Sequence, residues 1–441
     1  MDAPSMVDSA SASSGMKKGI AAKRICWKAI AARICAGFLC LASLEIWGCE
    51  GRPPARWVFE PQARPMSAQA ALAPQFLVLA SGDIFATMVS PQAAGGDELF
   101  FYSSSTDGDS FARVLQLNRP GAEVHPHLEG TPLLLVGRPG AYYALWTGSA
   151  PDKQSMQLTM SRSRDFGHSF SAPVALDAES GGNHPYFNAA VLPDGTMLVV
   201  WLSYEVVPGA VPGTAVLQVI RSGDGGATFS APQRIAINVC PCCRPELKAD
   251  AQGNWYLAWR HVDRDQERDI VVASSRDNGL TWSTETRVSR DGWHINGCPD
   301  SGPSLSFLGN RTFVAWHTVV DGKQRLFSTE SDDGGRSFAV RDDLAPSVHD
   351  PNHPYLINVG DRVIAVFQGR DQGKRAGWGE ERIYFREIAP RADSTLSVLP
   401  AGAGSGTYPI GAALGPGEII IAWTDIAESG SRVLRVRGRR E

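Results

Sequence analysis

The 441-residue sequence carries 42 Lys and Arg residues against 46 Asp and Glu residues, which gives a formal net charge of -4. It contains no long basic block, and this argues against a nucleic-acid partner, because phosphate binding needs clustered Lys and Arg. Hydrophobic residues make up 43% of the chain, and its 45 Gly and 29 Pro suit a large core built from short elements joined by many turns. We therefore expect a small-molecule, carbohydrate or protein ligand.

The first 48 residues have the pattern of an export signal. A basic stretch precedes an apolar run from Ile34 to Leu44, and these eleven residues are too few to span a bilayer. Gly48 and Cys49 follow, and they resemble the lipoprotein signal, in which the cysteine becomes the lipidated mature N-terminus. We expect residues 1–48 to be removed and the protein to be exported. It would be periplasmic or anchored in the outer membrane by a lipid on Cys49, or secreted after simple cleavage. The lipid would be its only membrane contact, and a monomer is expected.

Internal repeats run from about residue 75 to the C-terminus. Each repeat has a Gly and, six or seven residues later, a large side chain that closes an apolar run, which we assign to the end of an inner strand. Successive copies are 51 to 58 residues apart, which is the length of four short strands with their turns, or one propeller blade. The copies are Gly82 to Met88, Gly140 to Trp146, Gly195 to Trp201, Gly253 to Trp259, Gly309 to Trp316, Gly360 to Phe367 and Gly417 to Trp423.

A second motif, Ser-x-Asp-x-Gly-x-x-aromatic, lies between these copies. The aspartate can accept backbone N–H groups, the glycine can take a positive φ, and the aromatic ring can pack under the blade, so we predict outer hairpin turns between the third and fourth strands. A shortened version is assigned to residues 105–111. The full copies start at Ser163, Ser222, Ser275 and Ser331.

This motif resembles the Asp-box repeat of sialidases and related propellers. The resemblance implies an all-β propeller of four-stranded antiparallel blades over residues 75–441, with the boxes structural and on the outer rim. The repeat count favours seven blades, with six, the number in sialidases proper, as the alternative. The last repeat lacks a fourth strand, so we predict a linker over residues 49–74 in which residues 55–60 supply the strand that closes the ring.

The loops that lead into the innermost strands carry titratable or metal-ligating side chains beside prolines. Equivalent loops of a propeller converge on the mouth of its central channel, so these loops predict a functional site there. The candidate ligand-binding residues are His125, His127, His184, Tyr186, Arg244, Asp350 and His353.

The sialidase resemblance also implies catalytic residues. Sialidases use a tyrosine nucleophile paired with a glutamate, an aspartate acid/base, and three arginines that grip the substrate carboxylate, which departs from the usual pair of carboxylates. Tyr408 resembles the nucleophile in position, and Arg260 and Arg370 resemble two of the arginines. The alternative for all three is structural, as a packed tyrosine and as arginines paired with nearby aspartates.

Other positions depart from the sialidase pattern. The arginine that opens the first sialidase blade is replaced by His125, so one arm of the clamp is missing. The register of the family glutamate falls on Arg244, and Glu246 lies two residues along, on the same face of an extended segment. Asp300 and Asp350 are candidates for the acid/base by location only.

Four cysteines lie beyond the export segment, namely Cys240, Cys242, Cys243 and Cys298. An even count in an exported protein favours a disulfide, and adjacent leading loops would bring Cys298 to one of the first three. Three thiols within four residues also suit copper or zinc, so a metal site stays open as the second interpretation. The Cys-Pro-Cys-Cys loop resembles a bacterial subgroup labelled sialidase-like without a matching catalytic set.

Three functions remain open from the sequence. The favoured one is an exported propeller that binds a glycan or protein ligand at its channel mouth, with the cysteines in a structural disulfide or a metal-linked cluster. The alternative is an exo-sialidase-type glycoside hydrolase that acts on acidic sugars. The third is a metal- or redox-linked envelope protein.

Overall fold

The structure is a computed structural model that describes residues 56–92, 96–104, 107–127, 129–150, 155–176, 184–371, 380–390 and 395–441. The predicted export segment and Cys49 lie outside these residues. Contacts divide the chain into residues 1–53 and 54–441, and all that follows concerns the second unit. Its described residues form 29 β-strands and no helix. Accordingly, none of the described residues belongs to a helix long and apolar enough to cross a membrane.

The strands fall into consecutive groups of four. Two N-terminal strands, Trp57–Phe59 (β1) and Arg64–Pro65 (β2), precede the first group. The first group contains Leu72–Val78 (β3), Ile84–Ser90 (β4), Glu98–Ser104 (β5) and Ala112–Gln116 (β6). The second contains Leu133–Val136 (β7), Tyr142–Ser149 (β8), Met156–Ser163 (β9) and Val174–Ala175 (β10). The third contains Phe187–Val191 (β11), Met197–Ser203 (β12), Ala215–Ser222 (β13) and Gln233–Val239 (β14).

The later groups repeat this order. The fourth contains Glu246–Ala249 (β15), Trp255–Val262 (β16), Arg268–Ser275 (β17) and Thr286–Arg287 (β18). The fifth contains Ser304–Leu308 (β19), Arg311–Val320 (β20), Lys323–Ser331 (β21) and Asp342–Asp343 (β22). The sixth contains Val348–Val359 (β23), Arg362–Asp371 (β24), Arg382–Ala389 (β25) and Ser397–Val398 (β26). The last contains Ser405–Gly415 (β27), Glu418–Ala427 (β28) and Gly430–Arg440 (β29), and β1 and β2 pair with β29.

Strands within each group pair antiparallel in chain order, which confirms the predicted all-β class and four-stranded antiparallel sheets. The third and fourth groups are joined into one sheet by a single pair, Val239 with His261. Neighbouring groups touch through their first strands, from β3 to β7, β11, β15, β19, β23 and β27, and β27 also contacts β3. The first strands are therefore the innermost ones.

The Gly-to-Trp repeat lies on the second strand of each group, not on the innermost strand that the sequence suggests. A second strand is paired on both edges and covered by neighbouring groups on its faces, and every residue of β12, for instance, is buried. Trp201 of β12, for example, is fully buried and packs in one cluster with Leu145 of β8 and Phe187 of β11. The core thus lies between adjacent groups.

The four full boxes form the turns between third and fourth strands, as their pattern predicts. In the box after β9, the Asp165 carboxylate accepts hydrogen bonds from the Ser163 hydroxyl at 2.8 Å and from the Ser169 backbone N–H at 3.0 Å. The Gly167 N–H donates to the Ser163 hydroxyl oxygen at 2.9 Å, and Gly167 has a φ of +84°. Hydrogen bonds from Ser169 and Ser163 lower the pKa of Asp165 to about 2. These aspartates are therefore ionised turn residues.

The shortened box begins one residue earlier than the sequence assignment. The Gly108 N–H donates to the hydroxyl of Ser104 at 2.9 Å, which is the bond that the full boxes make between their Ser and Gly. With Ser104 as the first residue, Thr106 stands in the Asp position of the sequence. This box is therefore complete in length but lacks its carboxylate.

Candidate functional site

Six of the seven innermost strands line one cavity of about 290 Å³, which we call the central pocket. Its lining includes Gln75 of β3, Leu134 of β7, Asn188 of β11, Glu246 of β15, Tyr355 of β23 and Ile410 of β27. Because every innermost strand follows a leading loop, the pocket collects side chains from segments that are far apart in the chain.

Three innermost strands carry the same backbone irregularity beside the pocket. Ala73, His353 and Tyr408 have φ angles of 51°, 49° and 51°, each precedes a proline, and the strand register shifts at each of them. A β-bulge changes the direction in which nearby side chains point, and a positive φ is costly for residues other than glycine. The His353 and Tyr408 rings pack with their centroids 4.2 Å apart. The bulges thus hold two of the predicted site residues against each other.

Glu246 is the buried anion of the pocket. It forms ion pairs with Arg244 and with Lys248, whose Nζ lies 3.1 Å from its Oε1, and Asn188 Nδ2 donates to it at 3.0 Å. Burial alone would raise the pKa of Glu246, but the charges of Arg244 and Lys248 outweigh it and lower the pKa. The sequence did not single out Lys248, although it lies two residues beyond Glu246 and hence on the same strand face.

Glu129 is a second buried carboxylate that the sequence analysis missed. Its Oε1 lies 2.8 Å from His353 Nδ1, and its Oε2 accepts the Gly302 N–H at 2.7 Å. Burial raises its pKa, but the hydrogen bond and charge of His353, with the charge of Arg244, lower the pKa overall. Glu129 lies two residues after His127, in a loop that the sequence had already indicated, and this position could have pointed to it.

Asp300 lies in a third polar group with Tyr186 and His127. The Tyr186 hydroxyl is 3.4 Å from Asp300 Oδ1 and 3.3 Å from His127 Nε2. Burial, and then the negative charge of Glu129, raise the pKa of Asp300, whereas that of Glu129 is lowered. We call His127, Glu129, Tyr186, Asp300 and His353 the mouth cluster. It holds two carboxyl groups with opposite pKa shifts.

Tyr408 lines the central pocket together with Glu246. Burial, followed by the nearby carboxylates of Glu129 and Asp300, raises its pKa well above the usual range, so its phenol is neutral. Its backbone N–H donates to Gln368 at 2.7 Å. No hydrogen bond joins the Tyr408 hydroxyl to Glu246 in the part of the chain that the structure describes.

Arg260 and Arg370 occupy other environments. Arg260 has no exposed surface, and its guanidinium donates to the backbone oxygens of Ser301 at 3.1 Å and His317 at 2.8 Å. Arg370 pairs with Asp350 at 2.9 Å and with Glu381 at 3.1 Å. Of the arginines singled out from the sequence, Arg244 is the one that lines the pocket.

The two remaining histidines of the predicted set are held by local contacts. His125 Nε2 lies 2.8 Å from the Ser149 hydroxyl. His184 is 1% exposed, and its Nδ1 lies 2.9 Å from the Leu202 backbone oxygen. Neither contact involves a residue that lines the central pocket.

The cysteine loops meet as expected, and the predicted disulfide is confirmed, with Cys242 as the partner of Cys298. Their Cα atoms are 6.0 Å apart. Cys240 and Cys243 are free and buried, and the Cys240 Sγ lies 3.4 Å from the Cys243 Sγ and 3.7 Å from the Cys242 Sγ. The hydrogen bond with Cys243 lowers the pKa of Cys240. Burial raises the pKa of Cys243.

Known proteins resemble this chain in fold. No protein-family model matches it, and no curated protein matches it. The polysaccharide lyase Uly1 is 10% identical with a TM-score of 0.52, over 85% of this chain and 91% of its own. A protein of unknown function from Dyadobacter fermentans is 16% identical with a TM-score of 0.51, over 73% of this chain and all of its own. The Hadza microbial sialidase Hz136 is 15% identical, over 77% of this chain and 73% of its own, with a TM-score of 0.47 that is too low to bear on function.

Proposed function

We propose that this chain binds an acidic carbohydrate in the central pocket. The observation that carries the proposal is the combination of aromatic and charged side chains that line this cavity, namely Phe76, Tyr355 and Tyr408 with Arg244 and Lys248. The Lys248 Nζ lies 5.4 Å from the centroid of the Tyr355 ring. Sugar rings pack their apolar faces on aromatic side chains, while their hydroxyl and carboxylate groups need a few well-placed polar partners. The fold is shared with a polysaccharide lyase, which adds support.

The charge around Glu246 favours an acidic sugar, because the other lining carboxylate, Glu129, is already held by His353 and the Gly302 N–H. Glu246 is shared by two cations, Arg244 and Lys248, so this trio carries one net positive charge. The Lys248 side chain is 31% exposed, and its Nζ donates to the Leu305 backbone oxygen at 2.6 Å as well as to Glu246, which leaves one of its three N–H groups for a ligand. A carboxylate of a uronic or sialic acid would balance the remaining charge through charge-assisted hydrogen bonds.

The test is calorimetric titration with oligosaccharides that contain uronate or sialate, alongside neutral ones. Lys248→Met keeps most of the side-chain length but removes the charge, and we expect it to weaken binding about tenfold, which is about 1.4 kcal/mol. Lys323→Met, at an exposed position on β21, is the matched control and should bind as the wild type does. Equal affinity of Lys248→Met and wild type, or a preference for neutral sugars, would contradict the proposal.

A second candidate function is cleavage of the bound sugar. Opposite pKa shifts on two nearby carboxyls are the arrangement that supplies an acid and a base, and Asp300 has the raised pKa while Glu129 has the lowered one. Asp300→Asn should then abolish release of product from uronate or sialate glycans while leaving their binding within about twofold. Unchanged turnover in this variant would remove Asp300 from the reaction.

The exo-sialidase alternative assigns the chemistry to Tyr408 and Glu246. It predicts that the wild-type protein hydrolyses sialosides and that Tyr408→Phe abolishes this activity. Sialoside turnover that survives this substitution would exclude it.

The finer architecture is also a proposal. We propose that the seven groups form a closed ring of seven blades of the Asp-box kind, with β1 completing the last blade. The contacts between successive innermost strands, including β27 with β3, support this, as does the pairing of Trp57 with Arg440. An experimental density map with six blades, or with β1 away from β29, would contradict it.

We propose export for the protein, with a mature N-terminus near Cys49 that is lipid-linked or free. The sequence pattern before Cys49 supports this proposal. Intact-mass measurement on envelope protein should find residues 1–48 removed, and their presence would contradict export processing. Light scattering should give the mass of a monomer.

A further inference from the structure

The cysteines beyond the export segment form one compact group, the sulfur cluster of Cys240, Cys242, Cys243 and Cys298. The sulfur atoms of the first three lie within 4.8 Å of one another, and Cys298 is bonded to Cys242. A Zn–S bond of about 2.3 Å in a tetrahedral site places neighbouring sulfurs about 3.8 Å apart. The Cys240 distances of 3.4 Å and 3.7 Å are close to that spacing. The loop thus presents sulfurs that are almost positioned for a shared ion.

Two buried arginines adjoin the sulfur cluster without a carboxylate partner. Arg260 is 0% exposed and Arg268 is 6% exposed, and neither forms an ion pair with Asp or Glu in the part of the chain described. Arg268 donates to the Cys240 Sγ at 3.2 Å. The Nε and one terminal nitrogen of Arg260, and the Nε of Arg268, have no hydrogen-bond partner. A buried cation is costly unless an anion lies close to it. These two guanidinium groups have no carboxylate beside them, so the region around the sulfur cluster has an excess of positive charge.

We propose that the reduced sulfur cluster binds a thiophilic d10 metal ion, Cu(I) or Zn(II). Three thiolates around Cu(I), or four around Zn(II), both carry a net charge of -2. That charge matches the two guanidinium groups of Arg260 and Arg268. Thiolate ligands select these ions over hard cations such as Mg²⁺ and Ca²⁺. This site is separate from the central pocket and does not rest on the carbohydrate proposal.

Binding requires that the Cys242–Cys298 bond be opened first. A small dithiol supplies the two electrons: one of its thiolates attacks the exposed Cys298 sulfur, the S–S bond breaks, and the electron pair leaves on Cys242. The second thiol of the reductant then displaces Cys298, which leaves both cysteines reduced and the reductant as a cyclic disulfide. The metal ion next displaces the remaining thiol protons.

The test uses the mature chain, reduced by a dithiol under anaerobic conditions and then freed of the reductant. Cu(I) and Zn(II) are titrated separately against coloured competing chelators, and one equivalent of metal is expected to bind. Cys240→Ser and Cys243→Ser should each weaken binding of either ion at least about tenfold. Circular dichroism and thermal unfolding show whether each variant is folded.

Cys298→Ser distinguishes the two ions. This variant leaves Cys242 free without a reductant, and it keeps three thiolates. If Cu(I) is the ion held, the variant retains Cu(I) affinity within about threefold of the reduced wild type and needs no dithiol. If Zn(II) with four thiolates is held, the variant loses at least about tenfold in Zn(II) affinity.

The role of the arginines has its own control. Arg268→Met removes the cation that donates to Cys240 and should weaken metal binding by about 10-fold to 100-fold, as loss of other partners of metal ligands does. Arg264→Met, at an exposed position four residues before β17 begins, should leave the affinity unchanged. Four free thiols with no bound metal in the reduced protein would overturn the proposal. So would full affinity for both ions in folded Cys240→Ser protein.

Discussion

Glu129 ties three leading loops together, and Glu129→Gln tests that role directly. The carboxylate contacts His353 Nδ1 at 2.8 Å and the Gly302 N–H at 2.7 Å. Glutamine can keep both contacts, but as neutral hydrogen bonds. A bond to a charged group contributes about 1.5–3 kcal/mol and a neutral one about 0.5–1.5 kcal/mol, so two bonds that lose their charge cost about 2 kcal/mol. We expect the free energy of unfolding at pH 7 to fall by that amount.

The effect should depend on pH with a defined sign. The folded protein lowers the pKa of Glu129, so the stabilisation is fully present above the unfolded-state pKa of about 4.3 and is lost as the pH falls through the lower folded-state pKa. Urea unfolding of wild type and variant, measured from pH 7 downward, should therefore give curves that converge in acid. Glu123→Gln, at an exposed position of the same segment, is the matched control. An unchanged stability in Glu129→Gln at pH 7, or a difference that persists in acid, would refute the reasoning.

Three further predictions concern the framework. Glu60→Gln removes a carboxylate from the fully buried Arg435 guanidinium, and denaturant titration should show a loss of about 1.5–3 kcal/mol, whereas no loss would mean that the N-terminal segment is not docked on β29. Gly279→Ala places a methyl group 2.7 Å from a buried leucine side chain at a φ of +79°, so the free energy of unfolding should drop by about 1–3 kcal/mol. Gly209→Ala, with a φ of +84° and open space around it, measures the backbone strain alone, and equal losses in the two variants would refute the packing argument. Hydrogen bonds from Thr281 lower the pKa of Asp277 to about 2, so this box stabilises the fold above about pH 3.9 and loses that effect as the pH falls towards 2. In Asp277→Asn the free energy of unfolding should therefore fall less steeply between about pH 3.9 and 2, and an unchanged slope would contradict the prediction.

The repeating elements could be predicted from the sequence because their causes are local. A box turn is held by a serine, an aspartate and a glycine within five residues, as in Ser163 to Gly167, so the pattern of letters already contains the geometry. The assignment of the Trp repeat to the inner strand was wrong, because the apolar run belongs to the buried second strand of each group and not to the first strand, which is the innermost one. The shortened box was placed one residue late because its Asp position holds Thr106.

The site could be located but not assembled from the sequence. Equivalent loops of successive repeats lie side by side, so the sequence correctly predicted that Cys298 meets the loop of Cys240 to Cys243. Which cysteine of that loop bonds to Cys298 depends on the local path of the backbone, and the structure shows that it is Cys242. Glu129 and His353 are 224 residues apart, and no local signal links them. The sequence by itself determined the box turns and the order and spacing of the repeats, because neighbouring residues fix them. Tertiary structure alone decided which charges face each other in the pocket, because that depends on the convergence of distant loops and on the burial that shifts their pKa values.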